Sequence, residues 1–336
     1  MNFLFSGIGG PTPLGVALSV KASFPDARLI GVDGSQWSAS LYHSDIFDDT
    51  YQIASGSSRG YWDMMEKIIE KENIDFAFII PETEVIVWSE RQARGNLPCA
   101  TLAPNIDLAR FCFDKLKVAK ELMDLELTPK TLAYSGGGDP KLDFPFWIRV
   151  KQGAGALGAL KIENAKDLDT WMTLHGNRTD FMISEFLPGR NYACKMLYVN
   201  GQLLQTASAE RIDYLLAASA PSGISGMCAR GRLLNRPDLV ERSKIGLERV
   251  AKAVGAELHG MFTVDFKEDT ADKPLITEIN IRPVSFNHAF TMGGVNFAET
   301  IINAMLLKKN EALKTGVFDK ESFFIRGVDA PLRLIS

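Results

Sequence analysis

Leu275-Ile276-Thr277-Glu278-Ile279-Asn280-Ile281-Arg282-Pro283 is the stretch on which the reading of this chain turns. Its aliphatic residues suit a short buried strand, yet Glu278, Asn280 and Arg282 recur at every second position and therefore share one face. A carboxylate, an amide and a guanidinium make poor core. Together they suit a metal-bound phosphate. Just upstream, Met261-Phe262-Thr263-Val264-Asp265-Phe266 is a second apolar strand with a single acid, and residues 267–273 supply a polar turn. A hairpin of the two sets Asp265 beside Glu278. Paired carboxylates raise each other's pKa unless a cation lies between them, and oxygen ligands with an amide favour Mg2+ over softer metals. The competing reading is an edge hairpin with its polar face in water.

The 336 residues exceed what one compact core holds, so two or three domains are expected. With 46% hydrophobic residues, 23% charged residues and a net charge of -4, the chain lacks the basic excess of a nucleic-acid surface. No apolar run is long enough for a membrane span, and residues 2–7 read as a first strand and turn without a charged leader, so a cytoplasmic protein is expected. Cys99, Cys112, Cys194 and Cys228 are widely spaced and suggest buried free thiols, not a zinc site or a disulfide framework.

Residues 1–103 alternate strand-like and helix-like stretches, at 2–6, 14–24, 28–32, 61–71 and 76–80, which favours a parallel sheet with helices on its faces. The glycine-rich loop 7–15 follows the first strand, where a phosphate or dinucleotide meets a helix N-terminus in such sheets. Thr12, however, stands where a dinucleotide fingerprint needs its third glycine, and Asp33 serves as well to cap a turn as to hold a ribose. Glu82 and Glu84 follow the strand at 76–80 and would sit at the carboxyl edge, where open sheets bind ligands. The first turn of a helix favours acids too, through its dipole.

From Pro104 the pattern changes. Residues 108–125 read as one helix bearing Lys115, Lys117 and Lys120. A strand at 144–151 ends in Arg149 and Lys151 and leads into Gly153-Ala154-Gly155-Ala156-Leu157-Gly158, whose glycines let backbone amides approach an anion. A flexible hairpin is the plainer reading of the same glycines. A return strand at 160–163, a helix at 165–174 and a strand at 181–187 follow, broken by Pro188-Gly189. Asn200-Gly201 marks a hairpin of 192–199 with 202–210. Residues 215–231, rich in Ala, Ser and Gly and holding Arg230, read as an adaptable loop. Residues 237–254 form an amphipathic helix ended by Gly255, residues 297–308 a last helix, and residues 323–327 a short strand.

In this order, a lysine helix, a strand-end cation with a glycine flap, an E-x-L-P-G hinge, a lone-Asp strand and T-E-I-N-x-R resemble the ATP-grasp superfamily. The likeness is to its carbamoyl-phosphate-synthase large-subunit-like carboxylate-amine ligases and covers most of the chain. It implies an α/β (α+β) protein: a Rossmann-like pre-ATP-grasp domain at 1–103, a small nucleotide-binding lobe at 104–187, and a large lobe with the metal and substrate site at 188–336. By motif, Lys115 and Arg149 would meet the phosphates, with Lys151 the alternative cation, and Gly153, Ala154, Gly155 and Ala156 would cover them. Glu185, Phe186 and Leu187 would form the hinge that reads the adenine edge. Asp265, Glu278 and Asn280 match the ligands of two Mg2+, for which Mn2+ is the candidate substitute, and Arg282 would bind the γ-phosphate and then an acyl phosphate.

Two residues depart from the family's pattern. Asn191 replaces an acid that holds the ribose, and Lys195 stands where an acid is frequent, as a phosphate or substrate contact or a surface residue. The resemblance implies an ADP-forming ligase that activates a carboxylate for attack by an amine. Alternatives are a kinase-like enzyme acting on a small acid such as bicarbonate or carbamate, and an ATP-binding protein without turnover. Glu82, Arg211, Arg230, Ser285, Asn287 and His288 are candidate substrate contacts. The expected partners are small-molecule acids and amines, without nucleic acid or membrane, and a homodimer is the candidate assembly.

Overall fold

A computed structural model describes residues 1–42, 45–136, 138–153, 158–176, 178–309, 314–315 and 317–327. The first sheet is parallel and five-stranded, in the order Asp49–Gln52, Arg28–Asp33, Asn2–Ser6, Phe76–Phe78, Ala100–Thr101. Its central strand is apolar on both faces, because helices cover both: Phe3, Leu4 and Phe5 are wholly buried. The helix Tyr61–Lys71 buries Tyr61, Met65, Ile68 and Ile69, the one-sided spacing of an amphipathic helix. At the carboxyl edge Gly7, at φ +69°, lies so close to Pro81 that a Cβ would come within 2.5 Å of its ring, which brings the glycine-rich loop against the segment leading to Glu82.

A second, antiparallel sheet runs Thr131–Tyr134, Phe181–Glu185, Phe146–Val150, Leu160–Ile162, with the helix Ala165–Leu174 against it. A third holds Pro274–Asn280, Gly260–Glu268, Asn191–Val199, Gln202–Tyr214, Cys228–Leu234 and Ser322–Ile325 in spatial order, and Lys314–Thr315 pairs with Gln202–Tyr214. The small sheet has its own core, including Phe146, Ile148, Met172 and Ile183. Another core is continuous from Leu4 and Ile30 of the parallel sheet through Leu108 and Cys112 to Phe262 and Ile279 of the large sheet. No described helix is long and apolar enough to cross a membrane.

Two expectations are corrected, and one element is new. The lysine helix is two helices, Ile106–Phe113 and Lys115–Leu122, because Asp114 leaves helical geometry and its side chain accepts from the amides of Leu116 and Lys117 as an N-cap. Part of the expected loop is the strand Cys228–Leu234, which pairs with Gln202–Tyr214. A short helix, Asn287–Met292, follows the opening stretch and was not expected.

Entry to and exit from the small sheet meet at one point. The Glu185 amide donates to the Lys130 carbonyl at 3.1 Å, and the Lys130 amide donates to Glu185 Oε2 at 3.0 Å. The break after it is held as tightly: a Cβ on Gly189 would lie 2.5 Å from Glu268 Cβ, so no larger residue fits without movement. Glu268 is buried and accepts from Arg190 and from the Tyr192 hydroxyl.

Candidate active site

The hairpin of Gly260–Glu268 and Pro274–Asn280 pairs Asp265 directly with Glu278. A β-bulge follows, since Phe266 pairs with Ile276 and leaves Thr277 as the extra residue. The bulge turns Thr277 as well as Glu278 towards the cavity, against strict alternation, and the Thr277 carbonyl accepts from Arg149 Nη2 at 2.5 Å.

These residues floor a cavity of about 350 Å3 between the small and large sheets. Lys115 Nζ is 3.5 Å and Arg149 Nη1 3.7 Å from Glu278 Oε2, while Arg211 Nη2 lies 2.7 Å from Asp265 Oδ1. Burial pushes the Asp265 carboxyl up, with Arg211 opposing and Glu278 reinforcing the rise. Burial would raise Glu278 too, but Lys115, Arg149 and Arg211 hold it below the usual carboxylate range. Burial lowers the pKa of Arg149. Lys115, Arg149, Arg211, Lys267 and Arg282 line the cavity with Glu185, Asp265 and Glu278, which leaves a surplus of positive charge suited to an anion. The Nε groups of Arg149 and Arg282 are buried without a partner.

The donor set fits a hard divalent cation. Asn280 Nδ2 lies 3.2 Å from Asp265 Oδ2 and 3.4 Å from Glu278 Oε1, so its amide group touches both carboxylates, and a half-turn about its last torsion presents oxygen in place of nitrogen. Among the described residues no group of three or more His, Cys, Asp or Glu is placed for a metal, which leaves this carboxylate pair with its amide as the candidate.

At the other end, Val150, Phe186, Leu187 and Phe266 give the cavity apolar walls beside Glu185. Asn191 lines it as the register partner of Lys267, whose Nζ donates to the Gly189 carbonyl at 2.9 Å. Gly153 lines it too, and its carbonyl accepts from Lys115 Nζ at 2.6 Å. Ala154, Gly155 and Ala156 lie outside the described residues.

Of the substrate candidates, Arg211 and Ser285 line the cavity. Glu82 is not in its wall but faces it electrically: burial raises its pKa, while Arg282 and Lys115 pull it down. The other three candidates and Lys151 are placed elsewhere. Lys151 lies beyond the end of its strand, where its amide donates to the Asp180 carbonyl at 2.9 Å. Arg230 is half-exposed and paired with Asp213 at 2.7 Å. The Asn287 side chain is engaged by Lys195 and the Val284 carbonyl, and His288 packs near Gly15 with its Nδ1 buried. Glu84 is also structural: it accepts from the Tyr61 hydroxyl at 2.8 Å, and burial raises its pKa to about 7. Asp33 accepts from the amides of Gly9 and Ser35, so it fastens its own loop.

Sequence reasoning missed Lys267, Tyr214 and the segment Ile224 to Met227, all of which line the cavity. Position gave one clue to Lys267, which lies two residues after Asp265 on the same strand. Lys195 is neither exposed nor in the cavity wall. It is wholly buried, and its Nζ donates to the carbonyls of Val284 and Ser285 and to Asn287 Oδ1.

No family model matches the sequence, and no curated protein matches it. In structure the chain is similar to N5-carboxyaminoimidazole synthetase from Staphylococcus aureus complexed with ADP, with a TM-score of 0.71 and 15% identity, over 96% of this chain and 81% of that one. It is similar to the biotin carboxylase-β-γ-ATP complex from Campylobacter jejuni, with a TM-score of 0.68 and 15% identity, over 96% of this chain and 74% of that one. It is also similar to L-amino acid ligase from Bacillus licheniformis, with a TM-score of 0.66 and 12% identity, over 91% of this chain and 74% of that one. The likeness is one of fold: the chain has the ATP-grasp fold.

Proposed function

We propose that the protein is an ATP- and Mg2+-dependent ligase that activates a carboxylate as an acyl phosphate, which an amine then attacks to form an amide or peptide bond. The observation that carries this reading is the in-register pair Asp265 and Glu278 on the floor of a cavity between two antiparallel sheets, with Lys115, Arg149 and Arg211 around it. The ligase, the synthetase holding ADP and the carboxylase holding a nucleotide support it by fold. The three-part division at 103 and 187 belongs to the same reading, supported by the separate core of the small sheet.

The chemistry follows from charge. A carboxylate approaching a triphosphate is repelled, so the reaction needs its anions neutralised and held in line. Mg2+ at Asp265, Glu278 and Asn280 would supply part of that neutralisation. Lys115 and Arg149 hold the phosphates from the small-sheet side, and Arg282 holds the transferring phosphoryl group with its unpartnered Nε. Val150, Phe186 and Phe266 enclose the base, while Glu185, pinned to Lys130, leaves the hinge backbone to read the base edge. Closure between the two sheets keeps water from the acyl phosphate.

The test is ADP release with MgATP over pairs of acids and amines. Release that requires both an acid and an amine is expected. Release with an acid alone identifies a small-acid kinase, and ATP binding without release under any pair identifies a non-turnover binder. Absence of ATP binding overturns the reading.

A further inference from the structure

Residues 283–287 join Arg282 to the helix Asn287–Met292, and two of them, Val284 and Ser285, line the cavity. At the centre of this turn Phe286 holds φ 60° and ψ 27°, a left-handed conformation foreign to an aromatic side chain. Such a residue persists only where its surroundings over-determine it, and it marks a place where shape is being held for a purpose. The turn also has no glycine to relieve it.

Lys195 supplies the constraint. It comes from the middle of Asn191–Val199, opposite Thr263 on the strand that carries Asp265, and is wholly buried. Its Nζ donates to the Val284 carbonyl at 3.2 Å and the Ser285 carbonyl at 3.3 Å on one side of Phe286, and to Asn287 Oδ1 on the other. Asn287 Nδ2 closes the ring by donating to the Val284 carbonyl at 2.6 Å. The ammonium lies 5.1 Å from the centres of both the Phe286 and Phe290 rings. Among the described residues it forms no ion pair with a carboxylate. Burial, reinforced by Arg211 and Arg282, pulls its pKa well below the ordinary lysine value, and its Nζ is met by carbonyl and amide oxygens and two ring faces. An aliphatic side chain would fill the same space without the cost of burying an ammonium, so space-filling does not explain the choice of lysine.

We infer that Lys195 is a positioning residue for phosphoryl transfer: it clamps the strained turn 283–287 and through it sets Arg282 and Ser285 at the acid-substrate end of the cavity. The inference rests on the ATP-dependent reading above and adds a residue that touches neither nucleotide nor metal. Arg282 is the receiving group. It borders the turn, its Nη1 donates to the Pro283 carbonyl at 3.2 Å, and its buried Nε is left without a protein partner. A turn that moved would carry this guanidinium with it.

Isothermal titration of MgADP, with and without aluminium fluoride as a stand-in for the transferring phosphoryl group, separates the nucleotide floor from Arg282. Wild type should bind MgADP more tightly when fluoride is present. Lys195→Met should bind MgADP alone within about twofold of wild type, yet lose about tenfold or more of the fluoride-dependent tightening, the signature of a misplaced transition-state partner. Asn287→Ala keeps the lysine and removes one of its acceptors, and should lose about threefold of that tightening, as for one hydrogen bond. Full tightening in a folded Lys195→Met protein overturns the inference, as does a matched loss of MgADP binding with and without fluoride. If Lys195→Met does not fold, Asn287→Ala decides, and unchanged tightening there overturns it. Failure of wild type to bind MgADP at all sinks the ATP reading itself, a result distinct from either.

Discussion

Glu278 is an anion that Lys115, Arg149 and Arg211 hold in its charged form inside the site. Its replacement by Gln keeps the shape and removes the charge, so Lys115 and Arg149 are left to repel each other and, on the proposed reading, Mg2+ would lose a ligand. Glu278→Gln is expected to lower substrate-dependent ADP release by about 10²-fold or more while thermal unfolding stays cooperative. Near-normal release would remove Glu278 from the metal site. Glu84 gives a prediction of a different kind. Its folded pKa of about 7 lies above the ordinary 4.5, so the folded state holds the proton more tightly, and stability is greatest below the ordinary value and declines as pH rises to about 7. The shift corresponds to about 3 kcal/mol at most. Melting curves from pH 5 to pH 8 should show wild type losing stability relative to Glu84→Gln, and parallel curves would contradict the assignment. The placing of Glu278, Asn280 and Arg282 on one face was legible at this scale because of two-residue periodicity, and Asp265 stood out as a lone acid on an apolar strand. Thr277 was not legible, because a bulge breaks that periodicity. Nor was Lys195, because burial of a lysine depends on carbonyls ninety residues away in the chain.

Asp114 governs the element that delivers Lys115. By accepting from two amides it starts a new helix one residue before the lysine, and the Lys115 amide donates to the Lys151 carbonyl at 3.0 Å. The helix start is thus tied to the end of the strand that carries Arg149. Asp114→Ala should cost about 1 kcal/mol of stability, read by urea unfolding, and should weaken ATP binding because Lys115 loses its anchor. Weakened stability with unchanged ATP affinity would show that the cap serves the fold alone. The strong helices and the Asn200-Gly201 hairpin were readable from periodicity and turn chemistry. The break at Asp114 was hidden inside a continuous apolar repeat. The strand Cys228–Leu234 was hidden by small and polar residues, since its partner strand supplies the pairing that its own composition does not announce.

At the scale of the molecule, the parallel sheet and the large sheet share apolar packing, whereas the small sheet packs mainly upon itself. Its further buried link to the rest is the cluster of Leu116, Ala119 and Met182. Without nucleotide, amides of residues 131–185 should therefore exchange hydrogen faster than those of residues 191–199 and 260–268, and MgADP should slow the first group more than the second. Uniform exchange across all three would show one cooperative unit. The parallel sheet within residues 1–103 was legible from alternation, whereas the two antiparallel sheets after it were expected from the family resemblance. The sharing of a core was not, because contact between distant segments leaves no local pattern.

The clasp of Lys130 with Glu185 has a mechanical consequence. A sheet whose entry and exit strands are fastened to each other is braced at one corner, in addition to the apolar link of Leu116, Ala119 and Met182. A sheet braced there turns about that corner more easily than it slides, and turning moves the residues beside Glu185 least and the far rim most. Arg149, opposite Met182, lies farther along the sheet from that clasp than Phe146, opposite Glu185. On the ATP reading proposed above, one clasp would let the same lobe hold a base steadily while its far edge travels to the phosphates.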